Sequence, residues 1–492
     1  MRLRCCALVL LLLSSAFAQT KHPAVQSKKT PAERMPVTTA SPEARKHFGK
    51  AMQNLKEVRL TDVADELRAA TKADPKFAQA WILLAHFTPN PDEQQLARTH
   101  AKESSKYVTA AEQLLVTWFA NAEEDNFVPA IAAMNDLLAK YPRDHELATL
   151  GGGWLLRQER YEQAISVLER AVNIAPDYAD AYNELGYAYA SVGDYPKAIA
   201  AMDRYVALMP DEPNPYDSYG EILRMAGKFD AALEQYRKSI QLDPMFGSEL
   251  GVADTYALMG KQAEARDEYA RAIVFARSDN DKVSYELNSA ITWIRENNQK
   301  QADKALRATA KHAHVAGLGR LEADAHRVLA LYEPDYKNAL REFDAADNAL
   351  AEPHQISRAD RNEEHARILL ARAVRAADTH MKEDASRAAA ELENMAQGSR
   401  SQVIQLAYHA SQGAVLLESE KYADAISHLQ EDSNDPLALR LLWRAYTAAG
   451  STSLADTIAT KLAAMNVPTP EQALVVPQFR ANLVSQAQGL AQ

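Results

Sequence analysis

Proline stands at positions 142, 176, 210 and 244, each 34 residues after the last, and the residues between repeat one apolar spacing. In the clearest unit, Ala179 to Glu212, the residues Tyr182, Leu185, Gly186 and Tyr189 fall at i, i+3, i+4 and i+7, a single stripe on a single helix. Gly193-Asp194-Tyr195 breaks that helix. Ala198, Met202 and Tyr205 form a second stripe, and Pro210, which cannot continue a helix, closes the unit. Two short helices with one apolar face each cannot bury those faces alone, so the units have to stack. Gly186 and Ala198 are small enough to let the paired backbones approach. Only 17 glycines occur in 492 residues, 47% of the chain is hydrophobic, and extended Val, Ile and Thr runs of the kind that build sheet are missing.

The template recurs in register. The next unit carries Tyr216, Tyr219, Gly220 and Leu223, then Gly227-Lys228-Phe229, then Ala232, Tyr236, Ser239 and Pro244. The preceding unit has Ala148, Gly151, Gly152, Leu155, Tyr161, Ala164, Leu168, Ala171 and Pro176. One step earlier come Leu114, Trp118, Phe127, Ala130, Met134, Leu137 and Pro142. These four units, 111–144, 145–178, 179–212 and 213–245, resemble the tetratricopeptide repeat. The resemblance implies an all-α, right-handed superhelical solenoid of stacked antiparallel helix pairs. It also implies a concave face, lined by the first helix of each pair, that carries peptides or partner helices.

Looser units flank the block. Phe48, Ala51, Leu60, Leu67, Ala70 and Pro75 begin the solenoid expected over 41–279, and Tyr256, Gly260, Ala265, Tyr269 and Ala272 end it one residue out of step. Over 280–400 the pattern decays, leaving divergent repeats with longer helices or a separate helical bundle. Tyr422, Ala425, Leu429, Trp443, Tyr446, Gly450 and Ala455 restore it over 401–469, and residues 470–492 read as a cap followed by a loose tail. About ten to twelve helical pairs are expected in all.

The first 18 residues read as an export signal: Arg2 and Arg4, an apolar run from Cys5 to Leu13 too short to span a bilayer, and a small-x-small end at Ala16-Phe17-Ala18. Polar residues 19–40 read as a flexible linker. Cleavage after Ala18 removes both cysteines, leaving a mature chain without thiol chemistry. The absence of an Asn-x-Ser/Thr sequon fits a bacterial periplasm or secretion to the medium. The mature chain keeps 53 basic side chains against 66 acidic ones, a net of about −13, which disfavours nucleic acid. No later stretch is apolar enough to form an integral membrane segment.

Nothing marks out a catalytic or cofactor site. The 13 histidines are dispersed, and His312 and His314 point to different helical faces. Gly151-Gly152-Gly153 precedes no Lys-Ser/Thr phosphate cradle, and its close packing is already explained. No metal site, cofactor or enzyme activity is expected. The five tryptophans read as core. The residues expected to line the concave face lie off the packing stripe: Glu146 and Thr149; Asp180, Asn183 and Tyr187; Asn214, Asp217, Glu221 and Arg224. This mainly acidic and amide lining suits a basic or neutral polar protein or peptide. The leading reading is a non-catalytic scaffold in the cell envelope. The opposing one is an enzyme, or an enzyme's regulatory subunit, with its site in 280–400.

Overall fold

The computed structural model describes residues 34–490 apart from 57–59, 89, 277, 352–355 and 432–433; the expected signal at 1–18 and linker residues 19–33 lie outside that range. Among the described residues the chain is helical and contains no strand. The helices come in pairs, α1 (Pro42–Lys56) with α2 (Leu60–Ala73), α3 (Ala78–Phe87) with α4 (Pro91–Ser104), and α5 (Ala110–Glu123) with α6 (Phe127–Lys140). The block of clear repeats continues as α7 (His145–Arg157) with α8 (Tyr161–Ile174), α9 (Ala179–Ser191) with α10 (Tyr195–Leu208), and α11 (Pro213–Met225) with α12 (Phe229–Leu242). Then come α13 (Glu249–Leu258) with α14 (Gln262–Phe275), α15 (Asp279–Arg295) with α16 (Gln299–Val315), and α17 (Gly319–Tyr332) with α18 (Tyr336–Leu350). The last pairs are α19 (Arg358–Asp378) with α20 (Lys382–Gly398), α21 (Gln402–Glu418) with α22 (Tyr422–Leu429), and α23 (Pro436–Ala448) with α24 (Thr452–Ala463). A single helix, α25 (Pro470–Leu490), follows.

Local chemistry explains the boundaries. The turn inside each pair from α5–α6 to α13–α14 holds one residue in the left-handed region, which glycine adopts without a Cβ penalty. Gly193, Gly227 and Gly260 supply it at φ 79°, 73° and 84°, while Asp125 and Glu159 take the same position in the two preceding pairs at φ 57° and 56°. Helix starts are capped by side chains. Thr109 and Glu112 form a reciprocal capping box on α5, and the Asp144 and Asp194 carboxylates accept the Leu147 and Lys197 amides at α7 and α10.

Packing follows the repeat template. Ala130, Ala164, Ala198, Ala232 and Ala265, one in each successive second helix, are fully buried, and the larger core side chains Trp118, Tyr205, Tyr236 and Tyr269 are at most 2% exposed. The backbones come close because glycine faces them. A Cβ on Gly152 would stand 2.4 Å from Leu168 Cγ, and one on Gly186 2.3 Å from Met202 Cε. Burying one such Leu or Met side chain contributes roughly 1.5–3 kcal/mol. The tryptophans vary in depth: Trp118 and Trp154 are buried against one another, whereas Trp81, Trp293 and Trp443 are half-buried, Trp293 beneath the Arg266 guanidinium at 3.6 Å.

Residues 34–40 and the C-terminal tail depart from the sequence reading, while 280–400 takes one of its two alternatives. Residues 34–40, the end of the expected linker, run extended along the starts of α3, α5 and α7. The Met35 amide donates to Asp144 Oδ2 at 2.7 Å, the Thr38 amide to Glu112 Oε1 at 2.7 Å, and the Thr39 hydroxyl to Asp74 Oδ2 at 2.5 Å. Met35 and Val37 pack on the core below. The region 280–400 continues the pairwise stacking with longer helices, α15, α16 and α20 having 17 residues each and α19 having 21. The expected loose tail forms α25, which packs on α15, α23 and α24 because Ala473, Val475 and Phe479 are buried there.

The solenoid also folds back on itself. Asp125, in the turn between α5 and α6, accepts hydrogen bonds from Asn362 of α19 at 2.6 Å and from Ser399 at 2.9 Å. Arg160 donates to the Arg400 carbonyl, Asn466 to the Met225 carbonyl and Arg480 to the Leu258 carbonyl. Residues more than 200 positions apart therefore meet along one seam.

Candidate functional site

Where the first helices α9, α11 and α13 neighbour one another, their off-stripe positions form a polar ladder. The Tyr187 hydroxyl donates to Glu221 Oε2 at 2.9 Å. Arg224 donates to Glu221 Oε1 at 3.0 Å and to Asp254 Oδ2 at 3.1 Å, and the Tyr269 hydroxyl donates to Asp254 Oδ1 at 2.5 Å. Burial alone would ease the proton off Arg224, but Tyr236, Glu221 and Asp254 around it hold it charged. Burial raises the Asp254 carboxyl above its usual range despite Arg224.

Two carboxylates beside the ladder are less well matched. Burial pushes Asp217 up to about 6, opposed by a hydrogen bond from Ser248, and burial likewise raises Glu184, opposed only by the charge of Arg157. Neither makes an ion pair within 4 Å among the described residues. The Asn183 side-chain oxygen is buried without a hydrogen-bond donor.

The structure brings Tyr187, Asp217, Glu221 and Arg224 together and leaves the other expected lining residues apart. Asn214 is buried and donates to the Tyr205 hydroxyl at 2.6 Å. Thr149 is buried and turns back to the His145 carbonyl of its own helix at 2.9 Å. Arg224 is 3% exposed, so it is a strut of the wall and not an open contact. The physical reason is close packing: Arg224 meets α13 through Asp254, Asn214 meets the preceding α10 through Tyr205, and Thr149 bonds within its own helix. Glu146 sits at the end of the N-terminal strap, 3.6 Å from Arg34, and Asp180 is half-buried at the start of α9. His312 and His314 contact separate glutamates, Glu286 and Glu322.

Sequence reasoning missed a second polar locus. A chamber of 720 Å3 lies between the pair turns of α7–α11 and the first helices α17, α19, α21 and α23. Arg327 is its hub: it pairs with Asp324 at 2.6 Å, with Glu364 at 3.4 Å and with Glu471 of α25. Burial would raise the Asp324 carboxyl, yet Arg327, joined by Arg320 and Arg367, draws it below the usual range; burial prevails at Glu364 and raises it. Arg320, Asp324 and Arg327 fall at i, i+4 and i+7, so the stripe was visible in the sequence. Nothing in the sequence foretold that α25 would deliver Glu471 to it.

A family model described as the tetratricopeptide repeat matches residues 152–215, the block whose helix pairs, turns and buried alanines are set out above. Residues 152–215 are thus a tetratricopeptide-repeat segment, and helix pairs stacked in the same way flank it on both sides. No curated protein matches it. Among solved structures, it is similar to the crystal structure of MamA at 24% identity over 34% of this chain and 95% of that one, with a TM-score of 0.29. It is similar to the Cut9–Hcn1 hetero-tetramer of APC/C at 17% identity over 82% of this chain and 76% of that one, TM-score 0.42. A tetratricopeptide-repeat protein from Parabacteroides merdae ATCC 43184 is 13% identical over 55% of this chain and 93% of its own, TM-score 0.35. Tetratricopeptide repeats as a class mediate protein–protein interactions. In this repeat protein no described helix is long and apolar enough to cross a membrane.

Proposed function

We propose that this repeat protein is a non-catalytic adaptor of the bacterial cell envelope. It holds a basic or neutral polar peptide or helix against the inner wall formed by α7, α9 and α11. The observation that carries the reading is the pair of half-buried carboxylates, Glu184 and Asp217, raised by burial and without an ion pair within 4 Å among the described residues. A lysine or arginine from a partner would restore their ionised forms and add a charge-assisted hydrogen bond. The Asn183 oxygen offers an acceptor for a partner amide on the same helix.

The chain's own α25 supports a helical partner, since one helix of the chain already lies across first helices α15 and α23. The envelope location rests on the sequence of the first 18 residues and on the loss of both cysteines with them.

The test is affinity capture from envelope extracts with the mature chain, comparing wild type with Asp217→Lys and with Glu184→Lys. Capture of a discrete partner by wild type, reduced about tenfold or more in each variant, supports the reading; equal capture by all three rejects the inner wall as the binding face.

A further inference from the structure

Histidine is sparse in the clear repeats, where residues 111–245 hold only His145, and recurs in the divergent stretch after them. There each step from one helix to the next carries a bridge between an imidazole and a carboxylate. His312 of α16 reaches Glu286 of α15 at 2.9 Å, and His314 of α16 reaches Glu322 of α17 at 3.1 Å. His326 of α17 meets Glu342 of α18 at 2.8 Å. His365 of α19 meets Asp347 of α18 and Glu391 of α20, both at 3.1 Å. His380 takes the left-handed position in the turn after α19, at φ 60°, and reaches Glu418 of α21 at 3.0 Å. Bridges also occur singly near the N-terminus, as His47–Glu66 and His86–Glu123, but the run from α15 to α21 is continuous. It ends at α21, where His409 faces another imidazole, His428, at 3.1 Å.

His365 is the keystone of the run. Its Nδ1 faces Asp347 and its Nε2 faces Glu391, and only the protonated ring donates from both nitrogens. On the α18 side Arg372 shares Asp347 and also pairs with Asp344. On the α20 side Glu391 has no other ion-pair partner among the described residues. Toward α17, α21 and α5 the polar contacts of α19 belong to neighbouring residues: Glu364 on Arg327, Glu363 on Ser401 and Asn362 on Asp125. Along the rest of the run Arg307 also holds Glu342, while Glu286, Glu322 and Glu418 have no second ion-pair partner among the described residues. The hydrogen bond to Asp347 raises His365 above the ordinary imidazole value against the pull of burial, and Glu391 adds to it. A raised folded value means a stabilisation that is complete below about pH 6.5 and is lost as pH rises through that folded value.

The same two helices hold the seam. Asn362 lies less than one turn before His365, and Ser399 follows α20; both donate to Asp125 in the other half. Through Glu391, His365 ties α19 to α20 and so sets how those two donors stand together. We propose that the run of imidazole–carboxylate bridges is a pH-responsive clamp on the seam. With the imidazoles charged, α15 to α21 are held close and present Asn362 and Ser399 to Asp125. As rising pH removes the charges, a neutral His365 ring serves one carboxylate only, the helices ease apart and the seam loosens.

Hydrogen exchange of the full mature chain at about pH 6 and about pH 8.5, corrected for the pH dependence of exchange in an unfolded chain, reads the clamp at 358–362 and 398–401. Exchange about tenfold faster at the higher pH is expected there, with α7 and α8 little changed. His365→Gln carries no charge and should exchange fast at both pH values. His365→Arg is charged at both and has donors for both carboxylates, so it should stay slow and lose most of the pH step. Nitrogen chemical shifts should show both His365 ring nitrogens protonated at the lower pH. If the Gln variant melts early, the Arg variant alone decides. No pH step in the wild-type seam, a full step kept in His365→Arg, or a step equally large in α7 and α8 would overturn the proposal.

Discussion

The Arg224 guanidinium lies 3.1 Å from the Asp254 carboxylate, and both side chains are buried, at 3% and 5% exposure. The two residues sit 30 positions apart on neighbouring first helices, so their contact fixes how α11 and α13 approach. A buried ion pair is weak evidence of net stabilisation, but removing one partner leaves the other charge uncompensated. Arg224→Ala is expected to cost about 3–5 kcal/mol locally. It should raise hydrogen exchange across α11 to α14, and the double variant with Asp254→Asn should recover part of the loss. Unchanged exchange in the single variant would show that the pair is not a strut.

Asp217 gives a pH signature. Its folded value of about 6 stands above the usual 3.8, so the folded state binds the proton more tightly than the unfolded chain does. Its stabilising contribution is complete below about pH 4 and is lost as pH rises through 6, amounting to about 2–3 kcal/mol. Asp217→Asn should therefore melt higher than wild type at pH 7.5, with the gap closing by pH 4. A parallel pair of melting curves across that range would contradict the assignment. Binding of a basic partner should strengthen between pH 5 and 7 as Asp217 ionises.

The glycines of the first helices divide into two kinds. A Cβ on Gly251 would meet the Tyr236 ring at 2.2 Å, and that ring is 1% exposed with nowhere to turn. The same change at Gly186 meets only the end of the flexible Met202 side chain. Gly251→Ala is expected to destabilise by about 1–3 kcal/mol through overpacking. At Gly186→Ala the helix propensity gain of about 1 kcal/mol offsets much of the strain. Thermal melts of both variants check the contrast.

Asp125 ties the two halves of the solenoid through Asn362 and Ser399. Its φ of 57° suits glycine, so Asp125→Gly removes the side-chain bonds without straining the turn. Faster exchange at 358–362 and 398–401, with little change in α7 to α10, is the expected result. Small-angle scattering should report a larger radius of gyration if the seam governs closure.

Much of the architecture was legible because the repeat is local. Tyr182, Leu185, Gly186 and Tyr189 declare one helix face, and Pro210 ends the unit, whatever surrounds them. What the sequence could not show was how closely neighbouring helices pack. Arg224 and Thr149 lie at off-stripe positions, as a groove residue should, yet the tight stacking of first helices buries them. The strap at 34–40 was hidden because its hydrogen bonds come from the Met35 and Thr38 amides and the Thr38 and Thr39 hydroxyls, which carry no periodic signal. The seam was hidden because Asp125 and Ser399 meet across 274 residues, and no periodicity within either segment encodes that meeting.

Site-specific photo-crosslinking in intact cells tests the partner-binding wall most directly, with the reactive side chain placed at Tyr187 on the wall or at exposed Glu234 on α12. A single crosslinked product from position 187, missing from position 234 and lost on Asp217→Lys, is the expected outcome. Equal products from both positions, or none from 187, would contradict a partner held on that wall.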